Sequence, residues 1–494
     1  MQLPLVTGSY EGISTDTSTA ELINFYYEPA AQGEQHQGAA LPVPGGSRGV
    51  TVSAGNAISQ LIHNTDPAYQ SLFAVVNAAG TARLYEIETN ETVTNHGAIG
   101  TFTANPQLTH MEVNVFGKEI YVKSASADRG WIFDYTTDTL TQITDTTPPT
   151  TSYASAFIDG YFLVSDNTGT NPGRFYWSDL NDGLNWTDTN YATATNLGSD
   201  IIDIVVDRGN IYLIGNTKAE IWYNSGDANN TFKRYENLNT GCVTYGTAKQ
   251  IDNTVMWFSQ NERGDYQVIR IGEGSVPEIV STPELSYTWQ DVATAHQPYA
   301  YVQQFGGHEF YVLSFRGTNT TWAYDVTTGR WSQRSATFSA GEPVEDFVSN
   351  FVFWPDNTDD KFVVTLDTDP GYLYYMRTDE FEWTGASATP IPRRITSPTI
   401  RKDRESVMRI AEIELDCETL SGLTDTGIDI SWSKDGGKTF TTPRTLDLEN
   451  ERLIARKLGK GRKWVFRIET ESEGKVVVKD GLMARMAGEP QGTV

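Results

Sequence analysis

The chain has 494 residues, of which 63 are Asp or Glu and 37 are Lys or Arg, giving a formal net charge of −26 at pH 7. This surplus of carboxylates excludes a protein that binds nucleic acid over most of its surface, because phosphate binding requires an excess of Lys and Arg. No apolar run approaches the ~20 residues that span a bilayer, and the first residues, MQLPLVTGSYEG, lack the positive start and apolar stretch of a secretory signal.

The charge is distributed unevenly along the chain. Residues 1–390 contain 18 Lys and Arg against 46 Asp and Glu, whereas residues 391–494 contain 19 against 17, so the net charge changes from −28 to +2. Such a step indicates two bodies with different neighbours. Cys242 and Cys417 lie far apart in sequence, and we expect both to be reduced thiols, as in chains that are made in a cytoplasm and exported, if at all, as part of an assembly.

Residues 1–50 are interpreted as an N-terminal arm and linker rather than as part of a sheet. Leu22–Tyr27 (LINFYY) has the composition of a single buried strand. Leu41–Gly49 (LPVPGGSRG) is rich in Pro and Gly, which is typical of a turn-rich connection. We therefore expect this segment to precede the first folded body.

Residues 51–390 show a recurring pattern of short alternating strands joined by Gly, Asn and Asp turns. Leu72–Val76 and Ala82–Ile87, for example, flank the turn Asn77–Gly80. Sets of three or four such strands recur every ~40–50 residues, the period of propeller blades. The pattern predicts an acidic β-propeller of six or seven irregular blades, with a sandwich carrying long loops as the alternative. No segment has the 3.6-residue periodicity of a helix.

Residues 391–494 have longer and more regular alternation of apolar and polar residues. Arg409–Leu415, Ile428–Ser433, Trp464–Glu469 and Lys475–Lys479 follow this pattern, which is typical of half-buried antiparallel strands. Together they predict a small C-terminal β-sandwich. The fold class expected for the whole chain is therefore all-β, a propeller followed by a sandwich.

One local motif in the C-terminal segment has a known mechanical basis. Ser433–Phe440 (SKDGGKTF) fits the Asp-box pattern S-x-D-x-G-x-T-[W/F], a hairpin signature also found in sialidases. Its carboxylate and hydroxyl groups bind turn amides, and its glycines supply positive φ angles. We interpret it as a structural turn formed by Ser433, Asp435, Gly437, Thr439 and Phe440.

Basic residues concentrate in two places after residue 390. The first is a cluster and the second is the segment 452–467, and together they give ten candidate protein-docking residues: Arg393, Arg394, Arg401, Lys402, Arg404, Arg456, Lys457, Lys460, Arg462 and Lys463. A basic strand is also compatible with a solvated strand face or with contact to a DNA backbone. These three interpretations stay open at the level of sequence.

The sequence offers no catalytic, cofactor-binding or metal-binding residues. Its six histidines lack zinc-binding spacing, and no G-x-S-x-G elbow or phosphate-binding loop occurs. Carboxylate pairs such as Glu278 with Glu284 are expected by chance in so acidic a chain. We therefore expect neither a catalytic site nor a cofactor.

Several segments together carry a family resemblance. They include Glu21–Pro29 (ELINFYYEP), Phe175–Leu180 (FYWSDL), Ile201–Tyr223, Glu309–Trp331 and Ile428–Phe440. In their order and spacing through most of its length, the chain resembles the packaged-DNA stabilisation proteins of short-tailed, podovirus-type phages, also called tail hub or nozzle proteins. None of these segments is a catalytic signature.

The resemblance implies a structural virion protein of the phage tail, made in the bacterial host cytoplasm, and not an enzyme. Such a protein forms a six-fold ring of its own copies below the portal and adaptor proteins. It closes the DNA-filled head, retains the packaged DNA, carries tail fibres or spikes and a tip plug, and serves as the conduit for DNA ejection. DNA passes it without specific binding, and no membrane insertion is expected.

The acidic composition agrees physically with such a conduit, because carboxylate walls repel phosphates and offer a passing duplex no basic track. Two other functions are compatible with the Asp-box and the aromatic content. One is a sialidase-like or capsule-degrading glycan hydrolase. The other is a non-catalytic glycan-binding propeller.

Overall fold

The computed structural model describes residues 2–6, 8–11, 19–31, 36–101, 108–124, 128–292, 298–318, 321–339, 342–344, 346, 348–355, 360–385, 388–402, 406–419, 427–449 and 452–486. Within these residues the chain forms 46 strands, one α-helix and one 3-10 turn, Glu273–Ser275. The first six strands are β1 (Gln2–Leu3), β2 (Tyr10–Glu11), β3 (Thr19–Ile23), β4 (Phe25–Pro29), β5 (Gly38–Pro42) and β6 (Gly46–Thr51).

Six antiparallel four-stranded meanders follow in chain order. Blades 1 to 3 are β7 (Ile58–His63), β8 (Leu72–Ala78), β9 (Thr81–Ile87) and β10 (Val93–Thr101); β11 (His110–Asn114), β12 (Glu119–Lys123), β13 (Trp131–Asp134) and β14 (Thr139–Gln142); and β15 (Ser155–Ile158), β16 (Tyr161–Ser165), β17 (Arg174–Trp177) and β18 (Tyr191–Thr193). Blades 4 to 6 are β19 (Asp203–Asp207), β20 (Asn210–Ile214), β21 (Ala219–Asn224) and β22 (Phe232–Leu238); β23 (Lys249–Ile251), β24 (Thr254–Gln260), β25 (Tyr266–Ile271) and β26 (Pro277–Ile279); and β27 (Pro298–Phe305), β28 (His308–Phe315), β29 (Thr321–Asp325) and β30 (Arg330–Arg334).

Blade 7 is completed by a strand from the start of the chain. After the hairpin β31 (Phe338–Ser339) and β32 (Glu342–Pro343) come β33 (Val348–Pro355), β34 (Asp360–Leu366) and β35 (Tyr372–Met376), and β6 pairs antiparallel with β35. Gly46 lies opposite Met376, and a Cβ at Gly46 would lie 2.4 Å from the Tyr375 carbonyl oxygen, so this close pairing requires glycine. The innermost strands of neighbouring blades contact one another in a closed cycle from blade 1 to blade 7.

The predicted propeller is confirmed, and it has seven blades. The sequence explains the blade texture, since the first five residues of β8 are apolar and buried, as expected of a strand covered on both faces. The predicted turn Asn77–Gly80 is tighter than expected, because Asn77 and Ala78 continue β8. Only Ala79 and Gly80 form the turn, both with positive φ, as in a type I′ hairpin.

The helix α1 (Pro283–Val292) lies between blades 5 and 6 and departs from the sequence expectation. Leu285 and Trp289, four residues apart, bury their side chains against the core of these two blades. One such pair on a ten-residue helix is too short to produce a recognisable periodic pattern.

The remaining strands form an all-β C-terminal unit, which we define as β1 to β5 with β38 to β46. A short hairpin, β36 (Glu382–Thr384) and β37 (Ala388–Pro390), precedes it beside β6. Its later strands are β38 (Arg393–Thr396), β39 (Met408–Leu415), β40 (Cys417–Thr419), β41 (Gly427–Ser433), β42 (Arg444–Asp447), β43 (Leu453–Gly461), β44 (Val465–Thr470), β45 (Val476–Lys479) and β46 (Leu482–Met486).

The interpretation of residues 1–50 as an arm and linker is wrong. β1 pairs with β46, β3 with β38, and β5 with β45, so the segment supplies strands to three sheets of the C-terminal unit. Leu3, Leu22 and Phe25 belong to the same hydrophobic cluster as Ile395 and Phe466. Sequence patterns do not reveal this pairing, because each of these strands is short and its partners lie hundreds of residues away. The β-sandwich arrangement of these sheets stays a prediction.

This reassignment changes the charge balance of the two bodies. Residues 1–45 contain five acidic residues and no Lys or Arg, so residues 46–390 hold 18 basic against 41 acidic residues, a net charge of −23. Residues 1–45 with 391–494 hold 19 against 22, a net charge of −3. The propeller therefore carries nearly all of the negative charge, and the C-terminal unit is close to neutral.

Candidate docking surfaces and propeller channel

The Asp-box forms a tightly bonded turn between β41 and β42. Ser433 Oγ donates to Asp435 Oδ1 at 2.6 Å, and Thr439 Oγ1 donates to Asp435 Oδ2 at 2.6 Å. The Thr439 amide donates to Asp435 Oδ1 and the Gly437 amide to Ser433 Oγ. The Ser433 hydroxyl above all lowers the pKa of Asp435 to about 2. The Asp435 carboxylate is thus engaged in holding the turn.

The turn also connects to neighbouring parts of the C-terminal unit. The Gly436 amide donates to the Lys463 carbonyl oxygen at 3.2 Å, so the Asp-box contacts the connection between β43 and β44. The Arg467 guanidinium lies 4.0 Å from the centre of the half-buried Phe440 ring. The Asp-box turn therefore holds neighbouring segments of the C-terminal unit in place.

Two of the ten candidate docking residues are internal. Arg393 is buried and donates to the carbonyl oxygens of Ser472 and Phe381, and burial lowers its pKa to about 9. Arg394 is buried beside Glu469, with Nη2 2.7 Å from a carboxylate oxygen. Both lie on β38, between β3 and β44, and because their side chains are buried neither is available to a partner. Arg401 and Lys402 are exposed, and Arg404 lies outside the described residues.

The other basic residues form an exposed edge. β43 is the last strand of the sheet β1-β46-β39-β43, and Arg456, Lys457 and Lys460 are exposed along it. Arg462, directly after β43, is also exposed, whereas Lys463 is half-buried. With the exposed Arg452 we call Arg452, Arg456, Lys457, Lys460 and Arg462 the basic edge.

Two members of the basic edge are already paired. Arg452 makes a bidentate contact to Glu414, and Arg456 Nε lies 3.4 Å from Glu412. No carboxylate of the described residues lies within salt-bridge distance of Lys457, Lys460 or Arg462. These three cations are therefore available to an acidic partner, although Lys on an edge strand also discourages unwanted strand pairing.

The innermost strands surround a cavity of about 580 Å³ at the propeller centre. Burial raises the pKa of Glu112 to about 7 and that of Asp203 to about 6, while the charge of Lys249 lowers the pKa of both. Ser155 Oγ donates a hydrogen bond to Glu112 Oε1 at 3.0 Å. Asp203 Oδ2 accepts hydrogen bonds from the backbone amides of Gly246 and Ala248.

No sequence pattern indicates this cluster, because Glu112, Asp203 and Lys249 come from three different blades. His110, whose pKa burial lowers to about 3, lines the same cavity. Across the described parts of the chain, no three His, Cys, Asp or Glu side chains are grouped to hold a metal ion. Nor does any helix there have the length and apolar character to cross a membrane.

The fold defines the chain as a β-propeller protein with an appended all-β unit. Residues 1–346 match the family described as bacteriophage P22 Gp10, beta-propeller, and the chain belongs to this family. It is therefore a structural protein of a phage and a component of the virion. No curated protein matches this chain.

Two solved structures resemble the chain at low identity. A quinonprotein alcohol dehydrogenase-like protein from Bacteroides thetaiotaomicron is 13% identical, with a TM-score of 0.37, over 60% of this chain and 70% of that one. The hydrazine synthase of Kuenenia stuttgartiensis is 10% identical, with a TM-score of 0.43, over 70% of this chain and 99% of that one. Similarity this low transfers no activity to this chain.

Proposed function

We propose that this protein is the tail hub, or nozzle, of a short-tailed phage and that it has no enzymatic activity. Copies of it form a ring, six in number by the family resemblance, between the portal and adaptor proteins above and the fibres or spikes and tip plug below. The ring closes the filled head, retains the DNA and later conducts it out. The observation that carries the proposal is the family match, which extends over blades 1 to 6 and the closing strand β6.

The distribution of charge supports the conduit role. The propeller has a net charge of −23, and a surface of that sign repels a DNA backbone instead of binding it. The exposed cations Lys457, Lys460 and Arg462 lie on or directly after one edge strand, β43, of the C-terminal unit. A duplex passing the acidic body would meet no continuous basic track.

The basic edge is the surface we assign to protein docking. Its available cations suit an acidic neighbour, either another copy of the chain or the adaptor. Arg393 and Arg394 are excluded from this role by burial, and Arg401 and Lys402 are exposed at the start of the same unit.

The location is tested by negative-stain imaging of phage particles that carry a gold label on this protein. We expect the label at the tail, and a label on the capsid shell or outside the particle contradicts the proposal. Retention is tested with particles grown without this protein. Their packaged DNA should become sensitive to nuclease, and supplying the protein in trans should restore protection.

The glycan-directed alternatives rest on the Asp-box and on aromatic content. In the structure the Asp435 carboxylate is occupied by Ser433 and Thr439, so the motif is no argument for catalysis. Incubation of the pure protein with a broad panel of host glycans should release no reducing sugar. Release above that of the heat-denatured protein would replace the non-enzymatic proposal with a hydrolase.

A further inference from the structure

Three consecutive blades each expose one large apolar side chain at the same end of the propeller. Phe116 is 78% exposed in the β11–β12 turn, Leu180 is 57% exposed in the β17–β18 connection, and Tyr69 is 38% exposed in the β7–β8 connection. In a four-stranded antiparallel meander, the connections from strand 1 to 2 and from strand 3 to 4 lie at one end. All three side chains therefore belong to one face of blades 1 to 3.

The turns that carry these side chains are fixed by hydrogen bonds. Asn114 Oδ1 accepts the amides of Phe116 and Gly117 at 3.1 and 3.0 Å. The Gly183 amide donates to Glu119 Oε2 at 2.9 Å, which fastens the Leu180 connection to blade 2. A rigid turn presents an anchor residue at little entropic cost on binding.

Neighbouring turns of the three blades are in contact, so the three exposed side chains are carried by adjoining turns. A Cβ at Gly117 would lie 2.9 Å from the Asn181 carbonyl oxygen. The Tyr69 ring lies 5.1 Å from that of Tyr135, whose hydroxyl is 3.4 Å from the Val115 carbonyl oxygen. We call Tyr69, Phe116 and Leu180 the apolar patch. Contiguous exposed apolar surface with a polar rim marks interaction sites.

The rim of the apolar patch is acidic. Asp134 ends β13 and Asp138 lies in the β13–β14 turn at this end of blade 2. Asp159 lies in the β15–β16 turn, and Asp182 is two residues after Leu180. The nearby cation, Lys118, is neutralised by an ion pair with Asp66. A complementary partner therefore has apolar side chains surrounded by Lys and Arg.

The chain itself carries such a surface. Exposed Val407 precedes Met408, which pairs with Gly461 beside Arg462 of the basic edge. Exposed Met483 pairs with Glu414, the partner of Arg452. The basic edge thus has apolar side chains beside it, in the arrangement that the patch requires.

We propose that the apolar patch of one copy docks the basic edge of the next copy in the ring. A ring with a heterologous contact needs two different, complementary surfaces on every chain. Here the two surfaces lie on different bodies, one on blades 1 to 3 and the other on the C-terminal unit. The proposal rests on the proposed function, because it takes the assembly to be a ring of copies, and adds which surfaces meet.

The test places the photo-crosslinking residue p-benzoylphenylalanine at Phe116 or Leu180 in assembled virions. We expect crosslinked dimers whose joined peptides include residues 452–463 or the segments of Val407 or Met483. Placing p-benzoylphenylalanine at Tyr235, which is exposed on the outer strand of blade 4, is the matched control. This variant should give no such dimer. Crosslinks to another protein, or to another segment of this chain, overturn the proposal.

A second arm uses Lys457→Glu, Lys460→Glu and Arg462→Glu together, which break no ion pair of the described residues. The dimer yield from position 180 should fall by about tenfold, as expected when charge complementarity becomes repulsion. Arg83→Glu, Lys218→Glu and Arg263→Glu lie near the opposite end of the propeller and also break no ion pair of the described residues. They give the same net change and should leave the yield unaltered. An unchanged yield with the first set overturns the proposal. If the gold-labelled protein is in the tail but the crosslinks join other segments, only the docking assignment is wrong. If the labelled protein is absent from the tail, the proposed function is wrong.

Discussion

His308 Nε2, on β28 of the propeller, lies 2.6 Å from Glu28 Oε2, which is on β4 of the C-terminal unit. The second ring nitrogen lies 2.8 Å from Asp325 Oδ2 in blade 6. An imidazolium donates from both nitrogens, so its charged form satisfies both carboxylates. The contact joins β4 of the C-terminal unit to β28 and β29 of the propeller.

This contact predicts a pH-dependent stability. The hydrogen bond to Asp325, with that to Glu28, raises the pKa of His308. Its contribution is then fully present below about pH 6.5, the unfolded value, and is lost as pH rises through the folded pKa. His308→Gln should lower the free energy of unfolding by roughly 1–3 kcal/mol at pH 6 and by less at pH 9. Urea unfolding measures both values.

The control is His63→Gln, because burial lowers the pKa of His63 and it contributes no such contact. Among other charged groups near the ring, Arg334 on β30 lowers the pKa of Tyr26, and burial lowers the pKa of Arg334 itself. A loss of stability that is equal at both pH values for His308→Gln would contradict the imidazolium assignment.

Closure of the propeller predicts a strong effect of one methyl group. Gly46→Ala places a Cβ 2.4 Å from the Tyr375 carbonyl oxygen and should cost roughly 1–3 kcal/mol by forcing β6 away from β35. Ser47→Ala on the same strand should cost much less. Comparable midpoints of urea unfolding for the two variants would argue against a tight closing pair.

The Asp-box predicts an effect on folding at the acid side. The pKa of Asp435 is lowered to about 2, so its contribution is present above the unfolded value of about 3.9 and is lost as pH falls through 2. Asp435→Ala should lower stability by about 1 kcal/mol at pH 7, with the difference vanishing near pH 2. Glu449→Ala, an exposed neighbour, is the control, and acid unfolding curves of the three proteins decide.

Docking through the basic edge predicts salt sensitivity. Assembly of purified protein onto adaptor-bearing heads should weaken as ionic strength rises, because exposed charges separated by solvent are screened. Charge-reversing substitutions should remove most of this salt dependence together with most of the binding. The substituted positions are Arg456, Lys457, Lys460, Arg462 and Lys463. Binding that is indifferent to both changes would exclude the basic edge as the docking surface.

The sequence was sufficient for the propeller because each blade is built from local hairpins. Turns such as Asp159–Gly160 and the buried strands beside them are encoded within a few residues. The blade sets from residue 72 to residue 376 were therefore recognisable without knowing which strands meet across the ring.

The N-terminal strands were misread for the opposite reason. β1 and β3 have two and five residues, and their partners β46 and β38 lie more than 350 residues away. Nothing local distinguishes such a strand from an extended arm. Likewise, the sequence analysis assigned Arg393 and Arg394 to a docking surface, although both are buried and bound to internal partners.

Sequence patterns could not predict the apolar patch either. Phe116 and Leu180 resemble ordinary blade residues in a chain with 12% aromatics. Only the turn geometry shows that they point away from the core. Alternation within a strand reveals its buried face, but it says nothing about side chains carried by connecting turns.

The pairing of Gly46 with Met376 also constrains how the protein can be made. A ribosome releases β6 hundreds of residues before its partner β35, and β1 to β5 wait still longer for β38 to β46. Until then the early strands have unpaired edges, so the nascent chain must avoid wrong partners for most of its synthesis. A chain interrupted before residue 376 can therefore complete neither body.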